Sequence, residues 1–143
     1  MSMHALSVSL SALALVCMSG PALALDNWTA TTERGLPVLS LTQGKGLVRI
    51  VCDPDRVFGT TPNGAVIARL PKDVAPTTVV FLAKTGEQAR LATANGTAAQ
   101  AKADTAEWTK LVDILRKGGE FAVVSSHDSL SFETPPLPDF ACE

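Results

Sequence analysis

The sequence predicts a mainly β fold with one helix, an α+β arrangement. The expected form is a small antiparallel β-sandwich or partly open barrel, with one helix from the C-terminal half packed on it. Three observations predict it. Short β-prone runs are separated by turn residues along most of the chain. A single stretch, late in the chain, has helical periodicity. Strands do not alternate with helices, which argues against a parallel doubly wound sheet.

Residues 26–35 are polar and Thr-rich with Trp28 as the one large anchor, and read as an extended arm or first strand. Residues 37–42 (PVLSLT) form a short strand, residues 43–46 a turn, and residues 47–52 (LVRIVC) the next strand. In that strand Val48, Ile50 and Cys52 share one face, and Leu47, Arg49 and Val51 the other. Arg49 marks the second face as the wetter one, so Cys52 points inward. Asp53-Pro54-Asp55 stops the strand, because proline cannot donate to a ladder and Asp favours turns. Residues 61–64 (TPNG) turn the chain again, and residues 65–70 (AVIARL) form a strand stopped by Pro71. Residues 77–83 (TTVVFLA) are the most β-prone run, apolar on both faces and therefore expected at the centre of a sheet. After the turn at residues 84–86, residues 89–94 and 97–101 flank Asn95-Gly96, the strongest short-range hairpin signal. The Ala-rich flanks predict an exposed hairpin.

The helix starts at Asp104, which fits the N-cap, with Glu107 placed to reach back and complete a capping box. Trp108, Leu111, Val112 and Leu115 then fall on one apolar face. Arg116 and Lys117 suit the C-terminal dipole, and Gly118 can take a left-handed stop. Two strands follow, residues 120–125 and 130–134, joined by a turn at Ser126-His127-Asp128-Ser129. The tail, Pro135-Pro136-Leu137-Pro138, is stiff and extended and delivers Phe140 and Cys142 back toward the body.

The opening stretch bounds where this domain works. Residues 5–18 carry no charge and are mostly apolar or small. That run is shorter than the roughly 20 residues of a spanning helix. Ser19, Gly20 and Pro21 break it, and Ala22 and Ala24 place small residues at a cleavage site. Residues 1–24 therefore read as a signal peptide cleaved after Ala24, with an uncleaved anchor as the rival reading. Val16 before Cys17 argues against lipidation. Residues 25–143 would then be a single disulfide-tied β-rich domain, periplasmic or secreted, with no transmembrane segment after cleavage.

Two cysteines remain in that part, Cys52 and Cys142, and an even pair in an exported chain predicts one disulfide. The chain-entropy model rates such a long loop at roughly 4–5 kcal/mol. The charges, 12 basic against 14 acidic, are scattered and give no footprint for nucleic acid or an anionic membrane.

Few residues carry chemistry. His127 is the one histidine after residue 24 and no tyrosine is present. A zinc site needs about three or four N, S or carboxylate ligands, so no metal ligand is assigned. Asp53 and Asp55 lack the further oxygen ligands of a calcium loop. Gly44-Lys45-Gly46 does not match a phosphate loop, and no cofactor is implied. Asn27-Trp28-Thr29 and Asn95-Gly96-Thr97 match the glycosylation acceptor pattern, which arises often by chance. Ser125, Ser126, His127 and Asp128 supply the residue types of a hydrolase triad. Contiguity argues against them, because a triad's base meets nucleophile and acid through opposite ring nitrogens, from separated segments. No catalytic residue is assigned.

Residues 108–119 (WTKLVDILRKGG), 120–124 (EFAVV) and 137–142 (LPDFAC) carry a late helix ending in Gly, a strand and a closing Leu-x-x-Phe segment. In these the chain resembles the invasion-associated locus B-type small periplasmic proteins of bacteria. The resemblance implies a non-enzymatic, β-rich envelope protein. The leading expectation is an exported, non-catalytic domain that binds a protein or envelope partner. The alternatives are a small serine hydrolase using His127, or a carrier holding a small apolar ligand between sheet and helix.

Overall fold

Alternation of apolar and polar residues along the strands resolves into two antiparallel sheets that share one core. The computed structural model describes residues 25–53 and 63–137. The proposed signal peptide, Pro54-Asp55, Thr61-Pro62 and the end of the tail with Cys142 lie outside the described residues. The elements run β1 (Thr29–Glu33), β2 (Leu36–Gln43), β3 (Gly46–Val51), β4 (Ala65–Arg69), β5 (Thr78–Ala83), β6 (Gln88–Ala92), β7 (Thr97–Ala99), α1 (Thr105–Lys117), β8 (Gly119–Val124) and β9 (Ser129–Thr134). A short 3-10 turn over Gln100–Lys102 precedes the helix. One sheet has the order β1-β2-β3-β4-β7 and the other β6-β5-β8-β9. The fold is thus a mainly β sandwich with one helix among the described residues, and it does not close into a barrel.

Period-two alternation sets which side of each strand is buried. In β3, Val48 and Ile50 face the core and Arg49 faces out, as the sequence implies, and Cys52 continues the inward face. Leu39, Leu41, Val66 and Ala68 join them from β2 and β4. The facing sheet contributes Val79, Phe81, Leu91, Phe121, Val123 and Phe132. Phe121 stacks between two rings, 6.2 Å from Phe81 and 5.5 Å from Phe132. β5 is central, as expected, but only one of its faces is covered: Leu82 on the other is 40% exposed.

The Asn95-Gly96 turn forms, but its flanks do not make the predicted hairpin. Asn95 (φ 50°) and Gly96 (φ 76°) take the two positive-φ positions of a tight turn, closed by paired bonds between Ala94 and Thr97. β6 then belongs to one sheet and β7 to the other. Thr93 N–H donates to Thr77 in the four-stranded sheet, whereas the Gly96 carbonyl accepts from Ala68 in the five-stranded one. The turn is therefore a corner between sheets. Its alanines divide: Ala92 and Ala94 are exposed, as expected, whereas Ala89 and Ala98 are buried, small enough to let the layers approach at the corner. A Cβ on Gly96 would lie 2.5 Å from the Ala68 carbonyl oxygen.

The Asp104 carboxylate caps the helix, accepting from the N–H groups of Ala106 (2.9 Å) and Glu107 (3.1 Å). Glu107 does not reach back to complete the box. Its carboxylate instead accepts from the Arg90 backbone N–H on β6 at 2.7 Å, and from Lys110 at 2.7 Å. The helix thereby covers the edge of β6. Trp108, Leu111, Val112 and Leu115 are buried as predicted, and Ile114 with them. Gly118 ends the helix with positive φ, 67°, but its ψ of −160° lies outside the left-handed helical region. A side chain there would also strike Pro135 and Pro136, whose backbone atoms lie 2.5–2.8 Å from a Cβ position. Past them, Leu137 N–H donates to the Leu115 carbonyl at 3.1 Å and its side chain is buried.

Two outcomes test this packing. Phe121→Ala should cost about 3–5 kcal/mol in urea unfolding, the range for emptying a buried aromatic site, while Leu82→Ala should cost far less. The second concerns pH. The Lys110 ammonium, then the Arg90 N–H, hold the Glu107 carboxyl below the usual carboxylate range. Its share of stability is present above the unfolded glutamate value, about 4.3, and is lost as pH falls through the lower folded value. In acid titrations of the urea midpoint, Glu107→Gln should therefore lose stability less steeply than the natural chain.

Candidate functional site

The residue types that could carry chemistry meet where two turns touch. One turn, residues 125–128, joins β8 to β9. The other, residues 70–73, follows β4 and is closed by paired backbone bonds between Leu70 and Asp73. Ser125 builds the first turn: its hydroxyl accepts from the N–H groups of His127 (3.3 Å) and Asp128 (3.2 Å). Its own N–H donates to the Asp128 carbonyl at 2.9 Å. Short polar side chains favour turns through such local bonds.

Asp128 links the turns. One carboxylate oxygen accepts from the Ser129 N–H at 2.9 Å, the other from the Lys72 N–H at 2.7 Å. These bonds tie the four-stranded sheet to the loop leaving the five-stranded one. Sequence reasoning marked Asp128 as a turn residue and missed this tie, because it joins positions 56 apart with no local signal.

His127 sits at this junction with its side chain 75% exposed. Its Nδ1 lies 2.9 Å from Ser126 Oγ and 3.6 Å from Asp73 Oδ2. A serine, a histidine and an acid are thus together, and the acid, Asp73, is one that the sequence did not single out. Both contacts nevertheless fall on the same ring nitrogen. A relay needs the serine on one nitrogen and the acid on the other, with the acid holding the ring's orientation. The Ser125 hydroxyl is occupied in holding the turn. The arrangement is a polar lock between two turns.

Three concavities among the described residues lie around the β5–β6 turn. A cavity of about 310 Å3 against the helix is lined by Glu87, Gln88, Lys110, Asp113 and Lys117. Four of these five are charged, their aliphatic stems supplying part of the wall. Lys117 pairs with Glu87 at 2.7 Å, and Lys84 with Glu120 at 2.7 Å. Each bond to its carboxylate raises the lysine above its ordinary value. Among the described residues no group of three or more His, Cys, Asp or Glu is placed to hold a metal ion. Asp53 is buried, and Asp55 lies outside the described residues.

Cys52 is buried at the end of β3. It is the only cysteine among the described residues, and Cys142, its expected partner, lies outside them. No helix among the described residues is long and apolar enough to cross a membrane.

Fold and site together define a two-sheet antiparallel sandwich with a helix along one edge and a polar lock between turns. In comparisons with known proteins, no family model matches the chain, and no curated protein or solved structure matches it.

Substitution separates the two roles at the lock. His127→Ala should change unfolding free energy by less than about 0.5 kcal/mol, the range for exposed positions. Asp128→Ala loses two bonds to a charged acceptor and should cost about 1–3 kcal/mol. Urea unfolding of the two variants side by side measures the difference.

Proposed function

We propose that this chain is an exported, non-catalytic, disulfide-tied domain of the periplasm or cell exterior that binds a protein or envelope partner. The observation that carries the non-catalytic reading is the geometry of His127: an exposed ring that meets both Ser126 and Asp73 through one nitrogen. The buried, inward-facing position of Cys52 suits a structural half-cystine, and structural disulfides persist in oxidising compartments. The apolar, uncharged run of residues 5–18 and the small residues at Ala22 and Ala24 support cleavage of residues 1–24. The resemblance to invasion-associated locus B-type proteins points to the same compartment.

Cys142 is the proposed partner of Cys52. The only other cysteine, Cys17, lies within the proposed signal peptide. The pairing would fasten the chain's last residues to the end of β3, and chain ends are otherwise the first parts to fray.

Sequencing the N-terminus of the native protein should give Leu25 or a close neighbour, from a fraction outside the cytoplasm. Thiol labelling of the same unreduced protein should modify neither Cys52 nor Cys142. An intact Met1 on cytosolic protein, or labelling of both cysteines, contradicts the proposal. Hydrolysis of ester or peptide substrates that disappears in His127→Ala would overturn its non-catalytic part.

A further inference from the structure

A sandwich of two open sheets has four edge strands, and exposed edges pair with other chains unless something prevents it. Three are shortened or covered at least in part. The helix covers β6, where Glu107 takes the Arg90 N–H. β7 has three residues and runs straight into a 3-10 turn. The arm ahead of β1 reaches β9: Asp26 N–H donates to the Glu133 carbonyl at 2.8 Å, and its carboxylate accepts from the Glu133 N–H at 3.1 Å.

Among the described residues nothing covers β1 in this way. All five residues, Thr29-Ala30-Thr31-Thr32-Glu33, are exposed. The strand has no proline or lysine, and it pairs with β2 residue for residue without a bulge. Its single charge, Glu33, is paired with Arg49 of the same chain.

The hairpin fixes which backbone groups point outward. Arg34 (φ 51°) and Gly35 (φ 81°) form a two-residue turn between Glu33 and Leu36. The closing pair of such a turn is hydrogen-bonded, and bonded pairs then alternate along the ladder. Glu33, Thr31 and Thr29 therefore bond to β2. Thr32 faces Pro37, which has no N–H to give, and the Pro37 carbonyl accepts from Cys52 N–H on the β3 side. Ala30 and Thr32 thus direct their N–H and C=O groups to the open edge.

We propose that two copies of this chain pair β1 against β1, antiparallel and symmetric about Thr31, joining their five-stranded sheets into one. Ala30 of each copy then lies opposite Thr32 of the other, and these outward-facing residues exchange both of their bonds. Thr31 meets Thr31 on the two-fold axis as a non-hydrogen-bonded pair. Glu33 meets Thr29, so no like charges oppose, and threonine pairs suit cross-strand positions. A five-residue strand pair buries less than the roughly 1,200 Å2 of a standard interface, so the dimer is weak and concentration-dependent. The inference is independent of the proposed function.

The test uses the protein in the form the cell accumulates. Sedimentation from micromolar to millimolar concentration should show a monomer–dimer equilibrium. Thr32→Pro removes an outward N–H and none that bonds to β2, and should weaken dimerisation about ten-fold or more. Thr31→Cys places two thiols at a Cα separation of about 4.5 Å, inside the disulfide range of about 4.4–6.8 Å. Mild oxidation should crosslink it at least about ten times faster than Ser131→Cys on exposed β9, given that spacing. A chain that stays monomeric at millimolar concentration overturns the proposal, as does a dimer unaffected by a folded Thr32→Pro variant. If Thr32→Pro fails to fold by circular dichroism, the crosslinking comparison decides. Equal rates for Thr31→Cys and Ser131→Cys place any association elsewhere and refute the β1 pairing.

Discussion

Contact between the two inner faces is the constraint on which the rest of the structure depends. One face is aliphatic, built from Leu39, Leu41, Val48, Ile50 and Val66; the other carries the row Phe81, Phe121 and Phe132. Burial of each large side chain is worth about 1.5–3 kcal/mol. Neither sheet could hide its apolar face alone. The polar features described above sit at the margins of that contact and hold its rim. Asp26 holds the side where β9 ends, Glu107 the side where β6 ends, and Asp128 the turns at the junction of residues 70–73 and 125–128. All three are carboxylates accepting from backbone N–H groups that a sheet edge or turn would otherwise leave unpaired. Acceptance by an ionised oxygen makes these the stronger kind of hydrogen bond. Placed at the rim, they avoid the cost of burying a charge.

Much of this fold was legible because its signals are local. The inward direction of Cys52 and the outward direction of Arg49 follow from two-residue periodicity alone. The helix was readable from Asp104 and the spacing of Trp108, Leu111, Val112 and Leu115. The misreadings share one physical origin. Asn95-Gly96 specifies a tight turn, and it forms one. Turn chemistry does not specify which strand the second flank will join. That is decided by long-range pairing of Ala98 with Val66 and Thr97 with Ile67. Glu107 is the same case: a capping box is a local bond, and the Arg90 N–H outcompeted it from another strand.

The candidate site was partly legible. His127 could be placed in a turn from its neighbours. Asp73, which approaches it, lies far along the chain in a loop whose sequence, between Pro71 and Pro76, signals only that a strand has ended. The consequence is chemical as well as structural. Ser126, His127 and Asp73, residue types that suggest catalysis when read as letters, meet at one ring nitrogen where the two turns touch.

The corner at Asn95-Gly96 also decides how the molecule must come apart. Residues before it supply β1 to β6, and residues after it supply β7 to β9. The five-stranded sheet thus needs β7 from the second stretch, and the four-stranded sheet needs β5 and β6 from the first. The two layers are interleaved along the chain, so neither can be released as a free-standing fragment. A protease cut at the corner would leave two pieces, each holding strands of both layers and neither holding a complete sheet.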